Sequence, residues 1–179
     1  MHRRLKYLLT ISIAVLLAYA LAWAVPKALS QSRGAYRPVG ESGWIPLKTN
    51  VGHPLLLVFW ASWCLPCVSE IPNLNTVFDK FENAGLKIVA VNLDQDADEE
   101  LRRTIQRHRI RYPVVLPSTD LIQEYEVSAI PAMYLYDKTG ALTNNWIGPP
   151  GAEELERAIQ TVVQGGEPAP SPAPAKPTD

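Results

Sequence analysis

The sequence predicts an α/β domain, a mixed β-sheet flanked by helices, behind an N-terminal transmembrane or signal-anchor helix. Three observations predict it. Short continuous apolar runs at Leu55–Trp60 and Leu86–Leu93 have the pattern of parallel strands buried on both faces. Helical stretches alternate with them, and a strand–turn–strand unit followed by a last helix closes the domain. Ahead of these elements, Tyr7–Val25 form an uncharged, mostly apolar run of nineteen residues behind the cations Arg3, Arg4 and Lys6.

At a helical rise of 1.5 Å per residue, nineteen residues reach about 28 Å, close to the hydrocarbon thickness of a bilayer. A cleaved leader carries a shorter apolar run of about 7–15 residues. Small residues at Ala20, Ala22 and Ala24 nevertheless offer cleavage positions. Two readings stay open: a retained single-pass anchor, which the length favours, and a cleaved leader that releases a soluble periplasmic domain. In either case the positive N-terminus stays inside and the rest is exported. For a bacterium that places residues 1–25 in the inner membrane and the domain in the periplasm or extracytoplasmic space. No cysteine follows the apolar run, which excludes a lipidated anchor.

Residues 26–43, rich in Ser, Gly, Pro and Arg, read as a tether. The folded domain is expected over 44–164, and only Trp44–His53 is left for any strand before Leu55. A helix is expected over Cys64–Asn83, kinked at Pro72 and ended by Gly85. Ala97–Arg109 has acidic residues early and basic residues late, which suits the helix dipole. Pro113–Leu116 is a short strand, followed by a helix over Thr119–Glu126. Ala132–Tyr136 and Ala141–Ile147 flank the turn Lys138-Thr139-Gly140 as a hairpin. The last helix, Gly151–Val163, turns Leu155, Ala158, Ile159 and Val162 to one side. Residues 165–179, GGEPAPSPAPAKPTD, cannot bury a core and read as a disordered Pro/Ala-rich tail.

Composition removes several classes of function. Seventeen basic residues against eighteen acidic ones in a 179-residue chain leave no cationic excess for nucleic acid. Three scattered histidines form no obvious zinc or haem site. The only two cysteines, Cys64 and Cys67, are three residues apart. They cannot staple a small fold, so the domain must rest on an apolar core.

Those cysteines carry the chemistry. In WASWCLPCVSEIP, Trp60–Pro72, a buried strand ends and a helix opens at Cys64. Unpaired backbone N–H groups at a helix start favour a thiolate over a thiol. Cys67, one turn further on, lies within disulfide reach. That order permits a two-step exchange, in which Cys64 attacks a substrate disulfide and Cys67 resolves the mixed disulfide. A zinc site would need two more ligands, and none with suitable spacing exists. A purely structural bridge closes too small a loop to constrain the unfolded chain much.

WCLPC after LLLVFWAS, Pro72 five residues past the second cysteine, and Ile130-Pro131 before a strand together resemble the thioredoxin superfamily. The anchor, WASWCLPCVSEIP, YPVVLPSTDLIQEYEVSAIPAMYLYDKTG and Gly148 resemble its TlpA/ResA/CcmG-like group, over about Pro54–Val163. The resemblance implies a thioredoxin fold with a redox-active Cys64–Cys67 disulfide and no other cofactor or metal. It implies a membrane-tethered, extracytoplasmic thiol-disulfide reductase acting on disulfides of exported proteins, apocytochrome c among the candidates. Re-reduction would come from a membrane electron donor of the DsbD/CcdA type.

The same resemblance assigns individual residues. Pro131 should follow a cis peptide bond opposite the cysteines, and Ile130 should offer backbone groups to a substrate chain. Trp63 is expected to line the surface beside Cys64, and Trp60 to pack in the core. Leu65 and Pro66 set the character of the active-site dipeptide, and Pro66 in place of a histidine favours a reductant. Glu70 has two readings, a carboxylate that takes the Cys67 proton or an exposed residue that stabilises the helix start. Val58 stands where thioredoxin has a buried aspartate, so that residue cannot supply a base. Two rival functions are a disulfide oxidant or isomerase, and a copper-handling module in which thiolates and Met133 bind Cu(I).

Overall fold

The computed structural model describes residues 35–39, 45–46, 52–94 and 98–165. The expected anchor and the tail from 166 onward lie outside the described residues. Among the described residues, no helix is long and apolar enough to cross a membrane.

Seven strands form one sheet: β1 (Ala35–Pro38), β2 (Ile45–Pro46), β3 (Leu55–Trp60), β4 (Lys87–Asn92), β5 (Val114–Pro117), β6 (Ala132–Tyr136) and β7 (Leu142–Ile147). The helices are α1 (Leu65–Phe81), α2 (Asp98–His108), α3 (Thr119–Glu124) and α4 (Ala152–Val163). The sheet order is β2-β1-β5-β4-β3-β6-β7. β3, β4 and β5 are parallel, β6 runs antiparallel beside β3, and β7 runs antiparallel beside β6. This is the mixed thioredoxin-type sheet, with β3 near its centre.

β3 is buried along its whole length, so its alternating side chains serve two cores. Leu56, Val58 and Trp60 face one core with α1 and α4 residues such as Ile71, Leu74, Leu155 and Ile159. Leu55, Leu57 and Phe59 face the other, with Leu121 of α3. Phe59 also meets Tyr125 and Tyr134, at ring-centroid distances of 5.1 and 5.9 Å. This double burial fixes the height at which β3 ends, and therefore where α1 begins.

The expected tether differs from the structure at its end. Residues 35–38, placed in it by their composition, form β1, which pairs antiparallel with both β2 and β5. An N-terminal hairpin therefore begins well before Trp44 and extends the sheet edge. AYRP has no apolar alternation to announce a strand, and its partner β5 is remote in sequence.

Helix ends follow local chemistry. α1 runs continuously through Pro72, a 3₁₀ turn at Glu82–Ala84 follows it, and Gly85 at φ 96° ends the segment. α3 stops two residues early at Glu124, with Ser118 capping its start by accepting from Leu121 N–H. Asn75 of α1 ties in the chain after α2, donating to the Arg109 carbonyl and accepting from Arg111 N–H. That contact seats Tyr112 against α1.

Phe59→Ala should destabilise the fold by about 3–5 kcal/mol, because it empties a fully buried ring position between two tyrosines. Urea unfolding followed by far-UV circular dichroism measures it. A loss under about 1 kcal/mol would show that the second core does not depend on this ring.

Candidate active site

The site lies where β3, α1 and the loop before β6 meet. Cys64 is the N-cap of α1 and Cys67 stands in its first turn. Their sulfurs are joined as a disulfide, with the Cα atoms 5.2 Å apart. The Cys67 backbone N–H donates to Cys64 Sγ at 3.2 Å. This is a side-chain N-cap made by sulfur instead of oxygen. In the reduced protein the same donor, together with the helix dipole, would favour Cys64 as a thiolate.

The loop that delivers Cys64 is clamped from β4. Asp94 accepts from Ser62 N–H at 3.0 Å through one oxygen and from Asn92 Nδ2 at 3.1 Å through the other. Asn92 Oδ1 accepts in return from Asp94 N–H. Asn92 is fully buried. The clamp fixes the backbone two residues ahead of the reactive sulfur. Sequence reasoning missed both residues, since nothing in VNLD separates a clamp from an ordinary strand end.

The Ile130–Pro131 peptide is cis. Gly148 N–H donates to the Pro131 carbonyl at 2.7 Å, which ties the loop to the end of β7. The Ile130 carbonyl oxygen is 3.8 Å from Cys64 Sγ. The oxidised sulfur has no proton to donate, so this is a contact. The structure thus brings Ile130 and Pro131 beside the cysteines.

Around this centre the surface is apolar and open. Trp63 is 71% exposed and Leu65 82% exposed, large values for side chains of this type. Pro66 is exposed beside them. Cys64 and Cys67 are themselves buried under this rim. Trp60 is buried, as expected of a core residue.

Glu70 is only 3% exposed, which removes the reading of a solvated residue at the helix start. One carboxylate oxygen, Oε2, accepts from Asn73 Nδ2 at 3.2 Å. The other, Oε1, has no protein hydrogen-bond partner among the described residues. Burial raises the Glu70 pKa above the usual carboxylate value, and the Asn73 bond offsets part of that rise. Glu70 and Cys67 line one small enclosed cavity with Val58, Trp60, Tyr112 and Met133. Tyr112 is held neutral, first by burial and then by the Glu70 charge. Tyr112 too was given no role in the sequence.

Met133, fully buried, is brought near Cys67 by this cavity. Both cysteines are engaged in the disulfide, and among the described residues no group of three or more His, Cys, Asp or Glu side chains could hold a metal ion.

Comparison with known proteins agrees with this geometry. Residues 34–144 match the AhpC/TSA family. Sporulation thiol-disulfide oxidoreductase A of Bacillus subtilis is 32% identical over 162 residues, covering 84% of this chain and 95% of that protein. Thiol-disulfide oxidoreductase ResA of Bacillus cereus is 30% identical over 124 residues, covering 69% of this chain and 71% of ResA. Among solved structures, StoA of Bacillus subtilis superposes with a TM-score of 0.57 at 29% identity, over 69% of this chain and 96% of StoA. A Chlorobium tepidum protein assigned as thiol:disulfide interchange protein DsbE gives 0.64 at 26% identity, over 74% and 96%. With its Cys64–Cys67 disulfide on a thioredoxin fold, the chain belongs to the AhpC/TSA family, among relatives named thiol-disulfide oxidoreductases.

Proposed function

We propose that this thiol-disulfide oxidoreductase is a membrane-tethered reductase that works outside the cytoplasm on disulfides of exported proteins. The observation that carries the thiol exchange is Cys64 as N-cap of α1, its sulfur receiving the Cys67 N–H, while the reducing direction rests on Pro66. That arrangement favours a thiolate in the attacking position. Apocytochrome c is one candidate substrate, because its haem-attachment cysteines must be reduced. The charge and apolar run of residues 1–25 support the tether and the export.

In the forward direction the Cys64 thiolate attacks a substrate disulfide and one substrate thiolate leaves. The substrate then sits on the apolar rim of Trp63, Leu65 and Pro66, with its backbone beside Ile130 and Pro131. Glu70 takes the Cys67 proton, and the new Cys67 thiolate attacks Cys64 Sγ. The second substrate thiolate is released, protons return to both products, and two electrons have passed from the protein to the substrate. A membrane electron donor of the DsbD/CcdA type would restore the dithiol, since an exported protein has no direct access to cytoplasmic reductant.

The oxidant or isomerase reading uses the same atoms with the opposite poise. Pro66, exposed between the cysteines, supports the reducing direction, because it offers no cationic partner for the thiolate. For the copper reading, Met133 contributes one thioether beside a cysteine pair already joined to each other.

Cys67→Ser should accumulate Cys64-linked mixed disulfides with substrate proteins, visible as adducts on non-reducing gels. Cys64→Ser should abolish exchange altogether. Sustained turnover by either variant would contradict the order of attack.

Glu70→Gln should slow the resolving step on the order of 10²-fold and remove its acid limb, read as the pH dependence of mixed-disulfide decay. The stability effect has the opposite sign. Because the folded carboxyl holds its proton more tightly than the unfolded one, wild-type stability falls as pH rises from 4.5 to the raised folded value. The Gln variant should therefore melt at the wild-type temperature below pH 4.5 and gain on it above. Parallel melting curves across pH would show that the Glu70 pKa is not raised.

A further inference from the structure

The register of the sheet fixes where the chain enters the domain. Val58 and Phe59 of β3 pair with Ala90 and Val91 of β4, which pair in turn with Val114 and Val115 of β5. On the other side of β5, Pro38 is level with Val115 and Tyr36 with Pro117. Counting two residues on from Val115 and from Phe59 sets Tyr36 level with Ala61, just ahead of Cys64. β1 and β3 are three strand spacings apart, about 14 Å. The Pro131 loop and the end of β7 lie at this same end, since Ala132 pairs with both Phe59 and Ile147.

The opposite end is marked by Lys138. Its carbonyl accepts from Gly52 N–H at 2.7 Å, ahead of β3, and Gly165, past the end of α4, lies beside its side chain. Ala35 and Gly165 therefore leave the domain from opposite ends of the sheet. Residues 26–34 separate Ala35 from the proposed anchor. A tether of that length reaches at most about 32 Å and averages about 17 Å as a flexible chain. Turning Lys138 to the bilayer would lift Ala35 by the height of β3, about 20 Å, and stretch the tether beyond that mean.

We infer that the tether holds the active-site end toward the bilayer, so that the dithiol serves proteins whose cysteines lie within about 30 Å of the membrane surface. The inference rests on the proposed retained anchor and adds a direction to it. Asp120 and Glu153, both exposed, stand in the first turns of α3 and α4 at this end. Their charge opposes adsorption onto anionic lipid, which leaves the rim of Trp63, Leu65 and Pro66 to a protein partner.

The test uses the full-length chain in nanodiscs whose lipid headgroups carry gadolinium, which broadens nearby amide signals. Amides of Trp63, Ala132 and Gly148 should broaden several-fold more than those of Gly52, Gly85 and Lys138. Arg107, Arg109 and Lys138 give the opposite end a competing attraction to anionic lipid. Equal broadening at the two ends, or stronger broadening at theirs, in a disc-bound chain would overturn the orientation alone. A chain that does not stay with the discs would overturn the anchor, and the inference with it. A flexible Gly/Ser insert of about twenty residues after Gly34 should erase the contrast. A contrast that survives the insert would mean that the domain surface itself adsorbs to lipid, and would overturn the tether as its cause. For the partner class, the anchor and a linker of the same length are moved to follow Gly165 in a chain that begins at Ala35. The probe is a disulfide peptide on a short lipid anchor in the same disc, its exchange rate divided by that of the free peptide. That ratio should fall about tenfold when the anchor is moved. An unchanged ratio would overturn the restriction to partners at the membrane surface.

Discussion

The bond from the Cys67 N–H to Cys64 Sγ depends on where one helix starts. α1 can begin at Cys64 only because β3 ends four residues earlier, pinned by side chains sunk into two cores. Asp94 then holds the intervening turn from the neighbouring strand. The loop at Ile130–Pro131 is brought to the same point by β6, the antiparallel neighbour of β3. Three backbone segments remote in sequence therefore converge on a pair of sulfur atoms. A shift of one residue in the β3 register would turn Trp60 to the opposite core and take the site apart.

The second constraint is a carboxyl group with almost no water. Burial in an apolar cavity opposes ionisation of the carboxyl and raises the Glu70 pKa. Val58, Ala90 and Met133 supply the apolar walls, and Asn73 supplies a single donor. The arrangement weakens the fold at neutral pH and serves the chemistry, a trade common at sites where buried groups are used instead of merely tolerated. In the proposed function Trp63 and Leu65 meet the partner, while Glu70 takes the proton.

Much of this was legible in the sequence because it is local. A continuous apolar run gives β3, Cys-x-x-Cys at its end gives the site, and Gly85 ends its segment as its type dictates. The element boundaries after Leu55 fall within one or two residues of expectation. What stayed hidden depends on pairing across the chain. β1 owes its existence to β5, some eighty residues away, and not to its own pattern. Asp94 and Asn92 look like any polar strand ending until Ser62 is placed beside them. Glu70 had two readings at equal spacing from Cys67, and only its burial separates them. Tyr112 enters the site through Asn75 and the chain after α2, a contact that no local period encodes.

The central claim is that this dithiol gives electrons away. The most direct measurement is the reduction potential of Cys64/Cys67 in the full-length chain, by alkylation at defined thiol–disulfide poise. The account predicts a value below about −230 mV, on the reducing side of the glutaredoxins. A value above about −180 mV, toward the disulfide-forming catalysts, would contradict it.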